Sequence, residues 1–254
     1  MLLCWFLLLA LLSGCSLAPV VSLPTATVPG ESSGWETIAP GMEQRLFSTE
    51  TNLPLLQAVR LDPAQVTFRA AYRPGNPITL DEWQEALPDA QIIINANFFT
   101  PENTVLGTLI SDGVVYGQPY RDRGGTFLVE NGVVRIVSNL REPYQGQAWQ
   151  QAVQAFPLLV DNGSAAYTSA RASRIARRTV IAQDAQGRIL LMVTPGLGLS
   201  LPALSETLAE LDAEIVMALN LDGGGSTMMS AAPFGYRLPS FDPVPAVLAV
   251  YGIE

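Results

Sequence analysis

Apolar and polar residues alternate along Val66–Tyr72 until Arg73-Pro74-Gly75-Asn76 breaks the pattern, which predicts a strand with one buried face. Ile92-Ile93-Ile94 and Ile215–Leu221 are apolar without alternation and predict strands buried on both faces. Thr126–Glu130 and Val133–Ser138 flank Asn131-Gly132, a pair that tolerates the positive φ angles of a tight hairpin turn. Arg178–Gln183 and Arg188–Val193 flank Asp184-Ala185-Gln186-Gly187 and predict a second hairpin, and Ala246–Ile253 is expected to close the sheet. Helical signals are fewer. Thr79 and Glu82 have capping-box spacing ahead of Leu80–Leu87. Leu201, Leu204, Leu208 and Leu211 share one face of a helix over Ser200–Asp212, and Trp149–Phe156 is a third helical candidate. Many strands and few helices predict an α+β fold, a single domain with a mixed, largely antiparallel sheet and a few packed helices.

The ends of the chain add context. Met1 to Ser16 is a short apolar run, below the roughly 20 residues of a membrane span, and reads as a secretory signal. Leu12-Ser13-Gly14-Cys15 looks like a bacterial lipobox, although no Lys or Arg precedes it. The expected organisation is a signal over 1–15 with Cys15 lipidated, a Pro/Ser/Thr-rich tether over 16–34, and a folded domain over 35–254. That places the domain outside the cytoplasm, held to a bacterial membrane by a lipid anchor only, or secreted. With Cys4 lost and Cys15 acylated, the mature domain keeps no thiol for a disulfide, a nucleophile or a metal.

Composition removes further chemistries. The 254 residues carry a formal charge of −9, and all 14 basic residues are arginine. Without a basic surplus, a nucleic-acid partner is not expected. There is no histidine, so Ser-His-Asp triads, Cys-His pairs and histidine-ligated zinc are excluded. Proton transfer falls to Asp, Glu, Tyr or water.

Two loops carry the candidate chemistry, each at the end of a buried strand. Asn220-Leu221-Asp222-Gly223-Gly224-Gly225-Ser226-Thr227 offers a carboxylate, an amide, two hydroxyls and glycine N–H groups able to form an anion nest. Asn95-Ala96-Asn97-Phe98-Phe99 places Asn95 and Asn97 on one face, with an aromatic residue as a candidate apolar wall. Ser111-Asp112-Gly113 reads blandly as a turn, and Asp161-Asn162-Gly163 admits the same reading. Arg178, in Arg177-Arg178-Thr179, is either an exposed strand-end charge or a bidentate phosphate ligand.

In this order the pieces resemble the phosphodiester glycosidase family over about Asn95 to Ile253. An Asn loop with paired aromatics is followed by a small Asp-Gly turn, a Pro-Leu strand ending in Asn-Gly, an Arg-Thr strand and Asp-Gly-Gly-Gly-Ser-Thr. The last element, Asp222–Thr227, is the most specific. The first departs from the family, which commonly has Asn-Gly-Gly before its aromatic pair. The resemblance implies hydrolysis of a sugar-1-phosphodiester, with Asn97, Arg178, Asp222 and the Gly223–Ser226 loop in the active site. Asn95, Asn220, Thr227, Asp112 and Asp161 complete the set of candidate substrate contacts.

A phosphodiester leaving group needs little acid help, and arginine and N–H groups can stabilise its charge. A carboxylate then activates water or attacks the anomeric carbon, with Asp222 ahead of Asp112 and Asp161. No ligand spacing matches a metal motif, and no cofactor is required, which leaves a divalent cation held by Asp and Asn oxygens open. Two alternatives stand beside this reading. One is a metal-dependent phosphodiesterase using Asp112, Asp161 and Asp222; the other is a non-catalytic lipoprotein that binds envelope glycans. The convergence expected of Asn97, Arg178 and Asp222 supposes that Ile92–Ile94 and Ile215–Leu221 are neighbouring strands.

Overall fold

A computed structural model describes residues 34–49, 53–169 and 172–253, which lie in the compact unit Ser32–Glu254. The signal, Cys15 and nearly all of the tether lie outside the described residues. The described fold is three sheets with two α-helices. An eight-stranded sheet runs in the order Glu36–Ala39, Met42–Ser48, Pro54–Leu61, Ile189–Val193, Thr179–Asp184, Ile215–Asn220, Leu158–Asp161 and Ser164–Ala165. One five-stranded sheet centres on Gln151–Ala155, between Leu109–Ser111 and Gly125–Glu130. The other places Ile92–Asn95 between Met229–Ala231 and Ala246–Gly252, with Val66–Tyr72 at its edge.

Strand alternation divides the interior into layers. Ile92, Ile94, Phe127, Val153, Ile181, Leu191, Leu219 and Leu248 come from all three sheets and form the central core. Their odd-even neighbours face outward. Val180, Ala182, Leu190 and Met192 meet Leu204 and Leu208 of the Leu201–Glu210 helix. Ile93, Val247 and Ala249 meet Leu80 and Trp83 of the Leu80–Ala86 helix. In these two sheets a helix covers the outer face of the central strands.

Local signals behave as their chemistry requires. Asn131 and Gly132 adopt φ of 52° and 78°, as the hairpin turn demands. Thr79 and Glu82 form both hydrogen bonds of a capping box, and the Ser200 hydroxyl accepts the Ala203 N–H at the second helix.

Four expectations are corrected. Among the described residues every strand pair is antiparallel, so the sheets are not mixed. Trp149–Phe156 is not a helix, because Gln151–Ala155 is a central strand buried throughout. Its glutamines serve the backbone: Gln151 Oε1 accepts the Ala70 N–H at 3.0 Å, and Gln154 Oε1 accepts the Tyr120 N–H at 2.6 Å. Ala246–Gly252 lies inside its sheet instead of closing it. Finally, Ile92–Asn95 and Ile215–Asn220 belong to different sheets.

Candidate active site

Although their strands are not neighbours, the two polar loops meet across the gap between the sheets. The Asn95 side chain is the connector. Its Nδ2 donates to the Asp222 carbonyl at 2.7 Å, while its Oδ1 accepts the Thr179 hydroxyl at 2.8 Å and the Met228 N–H at 3.0 Å. In return the Asp222 N–H donates to the Ala96 carbonyl at 3.1 Å. Asn95 is buried and fully engaged, so its position serves to fix the Asp222 loop.

The glycines let the loop approach its neighbours closely. A Cβ on Gly223 would stand 2.9 Å from the Arg177 carbonyl oxygen, and one on Gly225 would stand 1.9 Å from Asp242 Oδ2. Gly224 has φ of 65° and donates its N–H to the Arg177 carbonyl at 2.8 Å. The Gly223 N–H donates to Asp222 Oδ1 at 2.8 Å. Both N–H groups are thus satisfied internally, so neither is free to join a nest for an external anion.

The Asp222 carboxyl is the most perturbed acid described. Burial pushes it up to about 6, the Ser226 hydroxyl and Gly223 N–H pull it down, and the nearby Asp242 carboxylate adds to the rise. Ser226 is buried, as expected of a residue supporting that carboxyl. Asp242 belongs to no motif in the sequence, and only the fold brings it against Gly225.

On or beside the two loops lie buried polar atoms with no partner. Among the described residues Asn97 Oδ1, Thr108 Oγ1, Arg177 Nε, Asn220 Oδ1 and Thr227 Oγ1 make no hydrogen bond. Such atoms are costly in a folded interior and here border the same two loops. Asn97 Nδ2 is held by the Thr108 and Gln154 carbonyls at 3.2 and 3.0 Å, and Asn220 Nδ2 by the Phe156 carbonyl at 3.1 Å. Phe156 packs on Phe98 with ring centroids 4.9 Å apart and on Tyr120 at 5.3 Å. The Arg123 guanidinium lies 5.8 Å from the Phe156 ring centre. Phe98 therefore joins an aromatic wall beside the orphaned amide oxygens, whereas Phe99 packs into the cluster under the Leu80–Ala86 helix.

The arginines divide between two faces. Arg178 Nε donates to the Leu199 carbonyl at 2.9 Å and Nη2 to the Arg174 carbonyl at 2.8 Å, which braces the outer loops. Arg177, one residue earlier, sends Nη2 to the Thr227 and Pro239 carbonyls at 2.6 and 3.0 Å. Burial pulls both guanidiniums below their usual range. The backbone of Arg177-Arg178 thus borders the glycine loop, the Arg177 side chain reaches beneath it, and the Arg178 side chain turns the other way.

Asp112 and Asp161 are not brought to this site. Arg69 donates twice to Asp112 Oδ2, at 2.9 and 2.6 Å, and Gln151 donates to Oδ1 at 2.7 Å. Burial raises the Asp112 carboxyl, but these hydrogen bonds outweigh it and hold the group below the usual carboxylate range. Asp112 lines a separate cavity of about 480 Å³ with Tyr144 and Trp149. Asp161 accepts two hydrogen bonds from Arg141, both at 2.7 Å, which likewise hold its carboxyl low. It pairs with Met217, five residues and roughly 17 Å of strand from Asp222. Among the described residues no group of three or more His, Cys, Asp or Glu side chains could hold a metal ion. The ligand set Asp112, Asp161 and Asp222 is therefore not assembled.

The fold resembles that of the catalytic domain of zebrafish N-acetylglucosamine-1-phosphodiester alpha-N-acetylglucosaminidase, auto-inhibited by its pro-peptide, with a TM-score of 0.63. The two are 15% identical over 85% of each chain. A hypothetical protein from Synechocystis is also similar, with a TM-score of 0.57 and 18% identity over 84% of this chain and 62% of the other. No curated protein matches the sequence. A family model for phosphodiester glycosidases matches residues 88–251, a span holding every loop residue of the site described above, and this chain belongs to that family.

Proposed function

We propose that this protein is an extracytoplasmic hydrolase that cleaves the bond between a sugar's anomeric carbon and the phosphate oxygen of a sugar-1-phosphodiester. One observation carries the reading: a carboxyl raised to about 6 by burial, that of Asp222, stands at the meeting of both polar loops. Above about pH 6 it is ionised. In that form it accepts the proton of an attacking water or itself attacks the anomeric carbon. With water, the new bond joins its oxygen to that carbon, and the departing electron pair stays on the phosphate oxygen. The products are a free sugar and a phosphomonoester.

The remaining groups divide the work. The Phe98–Phe156 pair supplies the apolar wall a sugar ring needs, and the buried Asn97 and Asn220 amides hold the two strand ends beside it. Arg178 acts as a positioning residue for the loop beside the phosphate, and Arg177 supplies the nearer guanidinium. Anchoring through Cys15 and the tether over 16–34 belongs to the same proposal, which makes the substrate an envelope or extracellular glycan.

Turnover of a panel of sugar-1-phosphodiesters in oxygen-18 water tests the reaction. Label in the released sugar supports glycosidic cleavage, whereas label in the phosphate moves the reaction to phosphorus and defeats the proposal.

A further inference from the structure

Ile175, Leu197 and Phe241 are 65%, 90% and 77% exposed, on loops that adjoin Arg177-Arg178. Backbone pairing between Ala176 and Leu199 joins the loops that carry Ile175 and Leu197. The approach is close enough that a Cβ on Gly198 would lie 1.7 Å from the Ala176 carbonyl oxygen. On the other side, the Phe241 ring centre lies 4.8 Å from the Arg177 guanidinium, and the Phe241 N–H donates to the Gly225 carbonyl at 2.7 Å. The loops that carry all three residues therefore flank Arg177-Arg178, whose backbone in turn borders the Asp222 loop.

The charges on this rim are equally uneven. Arg45, Arg60, Arg69, Arg123, Arg135, Arg141, Arg188 and Arg237 each pair with a carboxylate. Arg73, Arg121, Arg174, Arg177 and Arg178 have no such partner among the described residues, and three of these five stand together in this one segment. Single exposed apolar residues need no explanation, but several together beside uncompensated guanidiniums form a surface suited to an anion with an apolar extension.

We infer that this rim receives the hydrocarbon end of an amphiphilic glycosyl phosphodiester, in which a sugar is joined through phosphate to an alkyl or polyprenyl chain. The phosphate lies against the Arg174–Arg178 side, and the chain covers Ile175, Leu197 and Phe241. The inference rests on the sugar-phosphodiester reading above and narrows it to lipid-linked substrates.

Each methylene removed from water strengthens binding roughly fourfold. A chain that only partly covers three exposed side chains should therefore gain about tenfold. Binding of ethyl phosphate and octyl phosphate to the full chain, measured by calorimetry below the micelle concentration, requires no turnover. Octyl phosphate should bind about tenfold tighter, and the double variant Ile175→Ser/Leu197→Ser should cut that ratio at least threefold. Equal affinities, or a ratio unchanged in the double variant, overturn the inference. So does uncharged octyl glucoside binding as tightly as octyl phosphate, because the arginines would then have no part. Methyl and octyl esters of a panel of sugar 1-phosphates separate the two levels. Turnover of both esters with one KM removes the hydrocarbon chain alone; turnover of neither, with chain-dependent binding retained, removes the glycosidase reading.

Discussion

Replacing Asp222 with Asn should abolish turnover while making the protein more stable. Burial raises the carboxyl from its ordinary 3.8 to about 6, and each step of one pKa corresponds to about 1.4 kcal/mol. The cost of ionising Asp222 in the fold is therefore on the order of 3 kcal/mol. The sign follows from proton binding. Between about pH 4 and 6 the unfolded chain has lost this proton while the native chain retains it, so wild-type stability falls as pH rises through that window. Above about pH 6.5 both states are ionised and the penalty is constant. Below pH 4 both are protonated and it vanishes. An amide can still accept the Gly223 N–H and the Ser226 hydroxyl without carrying the charge. Urea denaturation of both proteins from pH 4 to 8 reads this directly. The stability gap in favour of Asp222→Asn should open between pH 4 and 6 and then level. A variant less stable than wild type at pH 7.5, or a gap independent of pH, would refute the buried-carboxylate account. Wild-type activity should itself rise with pH through an apparent pKa near 6, the limb expected of a base or nucleophile that works ionised.

Three other outcomes are expected. Asn95→Ala leaves the Met228 N–H, the Thr179 hydroxyl and the Asp222 carbonyl without their partner, and should cost about 3 kcal/mol in urea denaturation; a loss under about 1 kcal/mol would show that the loop is not held there. Gly198→Ala forces a Cβ onto the Ala176 carbonyl at φ of 87° and should destabilise by about 2 kcal/mol or more, read as a fall in Tm. Mass spectrometry of the mature protein made in a bacterium should find an acylated Cys15 at the N-terminus, and an unmodified terminus at any other residue would remove the anchor.

Legibility in the sequence followed how local each signal is. The Asn131-Gly132 turn and the Thr79–Glu82 capping box depend on a few adjacent residues, and each forms as its chemistry dictates. Trp149–Phe156 misled because Trp149, Ala152, Val153 and Phe156 mimic helical spacing. Gln151–Ala155 is buried on both faces, so a period of two leaves no trace in its composition. The same loss of periodicity hid the partition of the sheets. Ile92–Asn95 and Ile215–Asn220 are alike in being covered on both sides, and nothing in either run names its neighbour. Their loops meet nonetheless, because sheets facing across one core can bring strand ends together as directly as adjacent strands do.

The arginine pair shows what a single residue of register decides. Thr179 faces the core side and reaches Asn95, so alternation carries Arg177 toward the glycine loop and Arg178, with Val180, toward the helix-covered face. Sequence chemistry can state that a guanidinium belongs near a phosphate, but the two candidates differ only in parity, which is fixed by pairing with a strand some 40 residues away. Val180 opposite Asn220 supplies that register, and it places Phe156 and the Arg177-Arg178 backbone on opposite flanks of the strand that ends in Asn220, two residues before Asp222. The aromatic wall and the basic loop therefore need no direct contact to act on one substrate. The strand between them fixes their separation, and the Asp222 carboxyl follows at its end.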